Sequence, residues 1–196
     1  MKLIWGLVLN VLILCLLGCT ASRVNMIDDH TFLSTYEPKL RIDVAPDYTL
    51  KRDSGKRYTY EFLNKDEHRY ILIRYTPKPG YSTNIDYFNP PAKWIFYKIP
   101  NCDVIDKGEL DLFNQTWVYR DIIHHVSSAQ CAMVREMGCF TPSHAVLKVL
   151  YLQDLPPYKC ASWEGIQVLS REQQAKFDVF LENHTNDIQM SAYEDE

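Results

Sequence analysis

Asp121, His124, His125 and His144 are the side chains here that together carry donors for a metal. Imidazole and carboxylate both ligate zinc, and a site needs three or four such groups at about 2.0–2.3 Å. Their spacing works against the full set. Gln115 to Val126 alternates in the manner of a strand, and adjacent strand residues point to opposite faces. Asp121 and His125 then share a face, His124 takes the other, and His144 must join from a neighbouring strand. Asp121, His125 and His144 remain as a thin metal set, and the expectation is no metal and no cofactor. Ser143-His144 invites a hydrolase reading, but the Gly-x-Ser-x-Gly elbow is absent and Thr141-Pro142-Ser143 reads as a turn. No catalytic residue is assigned. No glycine-rich phosphate loop occurs, which argues against nucleotide binding.

The cysteines offer different chemistry. Cys102, Cys131, Cys139 and Cys160 lie in the body of the chain. An even number in an exported chain suggests disulfides, with three possible pairings for four cysteines. The short separation of Cys131 and Cys139 favours that pair, leaving Cys102 with Cys160. Cys-x-x-Cys is absent, so a thioredoxin-like redox motif is not expected, and the 131/139/160 spacing fits no zinc template.

Export itself is written at the N-terminus. Met1-Lys2 is followed by an almost wholly apolar run, Leu3 to Leu17, and by small residues around Cys19. Charged start, apolar middle and small-residue end are the parts of a secretory signal peptide. The run is shorter than the roughly 20 residues that a membrane-spanning helix needs. Leu16-Leu17-Gly18-Cys19 resembles the lipobox of bacterial lipoproteins. That resemblance implies cleavage before Cys19 and lipidation of its thiol. The result is a lipid anchor in the cell envelope, facing the periplasm. Thr20 stands where an inner-membrane retention Asp often occurs, so the outer membrane is favoured over the inner.

The remaining composition bounds the domain. The net charge is −4 and no Lys/Arg face is clustered, so nucleic acid is not an expected partner. Abundant Tyr, Phe, Trp, Ile and Val favour strands. The expected organisation is a signal peptide over 1–18, a lipidated tether over 19–37, one globular domain over 38–188 and an acidic tail over 189–196.

Within that domain, Leu40 to Val44 alternates as a strand. Arg57 to Leu63 and Arg69 to Tyr75 read as an antiparallel hairpin across a polar turn. Pro77 to Pro91 is a long loop holding Tyr81, Tyr87 and Phe88. Lys93 to Ile99 and Gln115 to Val126 read as strands, Glu109 to Phe113 as a short one, and His144 to Leu152 as a central one. Ala129 to Met137 reads as one or two helical turns. Ser170-Arg171-Glu172-Gln173 fits a capping box, and Phe177, Phe180, Leu181 and His184 follow helical spacing.

These elements make an α+β domain, a mainly antiparallel sheet with a C-terminal helix packed on one face. Their order resembles Mog1/PsbP-like domains, which also close with a strand, a loop and a helix. That likeness concerns topology and brings no residue roles. The function expected is that of a non-enzymatic binding or accessory subunit of an envelope complex, with another envelope protein as partner. The alternatives are a metal protein or enzyme using Asp121, His124, His125 and His144, and a carrier holding a small ligand between sheet and helix.

Overall fold

A computed structural model describes residues 24–26, 28–34, 39–52, 58–76, 101–127, 129–140, 146–156, 160, 163 and 168–193. Cys19, the 77–91 loop, the expected strand over 93–99, Ser143 and His144 lie outside the described residues.

Among the described residues, eleven strands and one helix follow in chain order: β1 (Val24–Met26), β2 (Thr31–Ser34), β3 (Leu40–Val44), β4 (Thr49–Arg52), β5 (Tyr58–Asn64), β6 (Arg69–Thr76), β7 (Cys102–Leu112), β8 (Gln115–Ser127), β9 (Gln130–Phe140), β10 (Val146–Leu155), α1 (Arg171–Asp187) and β11 (Ile188–Ala192). They form two antiparallel sheets. The larger has seven strands in the order β4-β5-β6-β10-β9-β8-β7, the smaller four in the order β1-β2-β3-β11. The α+β expectation, with a C-terminal helix on the sheet, holds.

One core joins the layers. Ile71, Ile73, Tyr75, Trp117, Ile123, Met133, Met137, Leu147, Val149 and Tyr151 project from one face of the large sheet. Phe32, Leu40, Ile42 and Val44 of the small sheet and Phe177 and Phe180 of α1 meet them there. The period of two along each strand sends these alternate residues to one side. Burying each large apolar side chain contributes roughly 1.5–3 kcal/mol.

The β5–β6 hairpin forms as the alternation indicates, with Tyr60 opposite Ile73 and Phe62 opposite Ile71. The capping box also forms: Gln173 N–H donates to Ser170 Oγ and Ser170 N–H to Gln173 Oε1. Phe177, Phe180, His184 and Asp187 make the buried stripe of α1.

Four local expectations are corrected. Residues 130–140 are a strand, not helical turns. Their Ala, Met, Arg and Glu are good helix formers, but β9 lies between β8 and β10 and is buried on both faces, and that pairing overrides propensity. The expected tether contains β1 and β2; β2 pairs with β3 and buries all four of its residues. The expected acidic tail contains β11, which pairs with β3 and seats Ile188 in the core. Finally, Cys131 bonds to Cys160, with Cα atoms 5.6 Å apart. The expected Cys131–Cys139 and Cys102–Cys160 pairs do not form; Cys102 and Cys139 are thiols. The reason is geometric. Cys131 and Cys139 sit on one continuous strand, where about 3.3 Å per residue separates their Cα atoms by roughly 26 Å, far beyond the roughly 7 Å limit of a disulfide.

Candidate functional site

β8 carries three of the expected metal donors, Asp121, His124 and His125, and two of them, Asp121 and His125, have a partner other than a metal. Asp121 is fully buried and faces Arg135 of β9 in register. Arg135 Nε donates to Asp121 Oδ1 at 2.8 Å and Nη2 to Oδ2 at 2.7 Å. Burial pushes the Asp121 carboxyl up from its usual range, and Arg135 opposes that shift. His125 Nε2 lies 3.1 Å from Asp103 Oδ2 on β7. His124 is on the opposite face, as strand alternation requires, and burial lowers its pKa. Among the described residues no group of three or more His, Cys, Asp and Glu is arranged to hold a metal ion.

The structure instead gathers a polar network that spacing along the chain did not reveal. Asp187 ends α1 and is 5% exposed. Its Oδ2 accepts Tyr48 Oη at 2.7 Å, Tyr151 Oη at 2.6 Å and Arg69 Nη1 at 3.1 Å. Tyr48 follows β3, Arg69 opens β6 and Tyr151 lies in β10, so the carboxylate gathers residues from three distant parts of the chain. Burial, reinforced by the hydrogen bond to Asp187, raises both phenol pKa values. The two tyrosines are therefore fixed donors and not proton shuttles near neutrality. His184, one turn earlier, sets its ring edge-on to Tyr151 with centroids 5.3 Å apart. Burial and nearby Arg135 lower its pKa to about 4, and its Nε2 has no hydrogen-bond partner among the described residues. The available clue was the pair His184 and Asp187 on the apolar stripe of α1.

Arg135 extends this polar line toward the sheet edge. Its guanidinium stands 5.2 Å from the Tyr119 ring centroid. Tyr119 Oη donates to Asp106 Oδ2 at 3.0 Å. The ring lies across Gly108, where an added Cβ would sit 2.9 Å from Tyr119 Cε1. Any larger residue there would have to displace the tip of the Tyr119 ring.

These groups position one another and leave no nucleophile beside a base. Cys139 is buried, and burial pushes its thiol up to about 12, which makes it inert. Phe177, Phe180 and Tyr151 stack between sheet and helix with centroids 5.4 and 5.6 Å apart. An open cavity of about 830 Å³ lies at one end of the large sheet. Asp66, Glu67 and His68 of the β5–β6 turn line it with Ser127, Gln130 and Asp154. Gln130 adjoins the Cys131–Cys160 bond, which ties Cys160 to this end.

No family model and no curated protein matches the chain. Among solved structures, the Saccharomyces cerevisiae Ran-binding protein Mog1p is similar at a TM-score of 0.44 and 7% identity, over 76% of this chain and 89% of that one. Neither partner nor activity transfers at that identity.

Proposed function

We propose that this is a lipid-anchored protein of the bacterial envelope, serving as a non-enzymatic binding or accessory subunit with another envelope protein as partner. The observation that carries the reading is Leu16-Leu17-Gly18-Cys19 at the end of an apolar run. Lipidated Cys19 holds the domain at the membrane; each buried methylene contributes about 0.8 kcal/mol, and two or more chains give stable attachment. The Cys131–Cys160 bond suits an oxidising compartment such as the periplasm. The engagement of Asp121 by Arg135 and of His125 by Asp103 favours binding over catalysis.

Intact mass of the protein extracted from its native membrane tests the anchor. An acylated N-terminal Cys19 is expected, and an unprocessed or unlipidated mass overturns the reading. Crosslinking in intact membranes tests the partner role. A specific envelope protein is expected in the crosslinked product, and recovery of none counts against an accessory subunit.

A further inference from the structure

We propose that the β7 edge pairs with the β7 edge of a second copy of this chain, antiparallel about a twofold axis through Gly108. β7 ends the seven-stranded sheet; β8 lies on one side of it, and no strand among the described residues lies on the other. It has eleven residues, against four in β4, three in β1 and five in β11, which close the remaining sheet ends. An open strand edge is a template for a further strand. After the bulge between Val104 and Asp106, the run Asp106–Leu112 keeps an unbroken register with β8, so its backbone is regular on the side where no described strand lies.

Charge selects the occupant. Lys107 and Glu109 are exposed and share a face of β7, and neither side chain pairs with another described residue. With the axis at Gly108, Lys107 of each copy faces Glu109 of the other, giving two opposite-charge pairs from one short run. Moving the axis to Lys107 or to Glu109 sets that residue against itself, and like charges directly opposite repel. Gly108 places no side chain at the axis, and the Tyr119 ring already fills the space on its core face. Lys107 N–H now donates to Asp106 Oδ1 at 2.8 Å and exchanges that acceptor for a carbonyl of the second copy. Asp106 keeps its bond from Tyr119 Oη. A twofold contact of this kind closes on itself and does not propagate into fibres.

The contact is small, so it is concentration-dependent. Confinement to a membrane plane by the proposed anchor strengthens it through effective concentration. That reinforcement rests on the lipid reading, whereas the pairing does not.

Sedimentation of the full chain in detergent over a wide concentration range is the test. A monomer–dimer equilibrium is expected. Lys107→Glu and Glu109→Lys should each weaken the dimer about tenfold, since two attractive cross-strand pairs become repulsive. The double variant K107E/E109K should restore it. Both side chains are exposed, so melting temperatures should not move at concentrations too low for the dimer to form. A chain that stays monomeric at every concentration overturns the proposal, as does a dimer that ignores both single reversals. The unlipidated Cys19→Ser chain separates the two readings: it must still dimerise, at higher concentration, even if the anchor is disproved.

Discussion

Tyr151 Oη donates to Asp187 Oδ2 at 2.6 Å, tying the middle of the large sheet to the last residue of α1. Tyr48 and Arg69 converge on the same oxygen. Asp187 O also accepts Ala45 N–H at 3.0 Å, so one residue joins the helix, both sheets and the start of β11. Removing a buried carboxylate strands its partners, and breaking a buried ion pair costs about 3–5 kcal/mol. Asp187→Ala should lose stability in that range by urea denaturation. Tyr151→Phe removes one donor and should cost about 1–2 kcal/mol. A near-neutral Asp187→Ala would show that the network does not hold α1 in place.

His184 gives the fold a pH dependence of definite sign. Its pKa in the folded chain is about 4, below the ordinary 6.5. The unfolded chain therefore binds the proton first. Stability is fully present above pH 6.5 and falls as pH drops from 6.5 toward 4, by about 3 kcal/mol at the limit. Asp121 works in the opposite direction, because its raised pKa makes the folded state bind protons more readily at low pH. His184→Phe keeps a ring against Tyr151 and removes the titrating group. Its stability, measured from pH 7 to 4, should be flatter than that of the parent. Parallel curves would remove His184 as the cause.

How much of this was legible in the sequence depended on whether the determining contacts were local. The Ser170 cap and the Phe177–Phe180 stripe need only neighbours three or four positions away, so spacing revealed them. The β5–β6 hairpin likewise followed from alternation across a short turn. β9 was misread because its residues favour helix one by one, and what makes it a strand is pairing with β8 and β10 on either side. β1, β2 and β11 are short strands ordered by the small sheet: β1 pairs with β2, and β2 and β11 pair with β3, a partner far away in the chain for β11. The same limit hid the Asp187 network: Tyr48 is 139 positions from its acceptor. The strand parity of Asp121, His124 and His125 was legible. That Arg135 and Asp103 engage two of them was a matter of register and was not.

The disulfide yields a chemical prediction. Full reduction of the unfolded protein should add two hydrogens, because one bond joins Cys131 and Cys160 while Cys102 and Cys139 are thiols. A gain of four would require pairing those two as well. The bond closes a loop with a sequence separation of 29, and the chain-entropy relation gives about 3–4 kcal/mol for its loss. Cys160→Ser should fall in that range. Cys139 should resist thiol reagents until the chain unfolds, since burial holds it protonated.

The pair Asp121–Arg135 separates structure from metal chemistry. If the carboxylate exists to balance Arg135, losing the arginine alone is the costly change, because a fully buried Asp121 is left without a counter-charge. Arg135→Met should cost about 3–5 kcal/mol. Asp121→Asn retains a hydrogen-bond acceptor but removes its charge, and Arg135, at 18% side-chain exposure, can still reach water. Asp121→Asn should therefore cost less than Arg135→Met. The double variant should cost less than the sum of the two, giving a coupling of about 0.5–3 kcal/mol in a double-mutant cycle. A metal role makes a different pattern: Asp121→Asn would then abolish a zinc-dependent rise in melting temperature. Additive losses together with such a zinc effect would return Asp121 to the role of ligand, whereas strong coupling and no response to zinc keep it as the partner of Arg135.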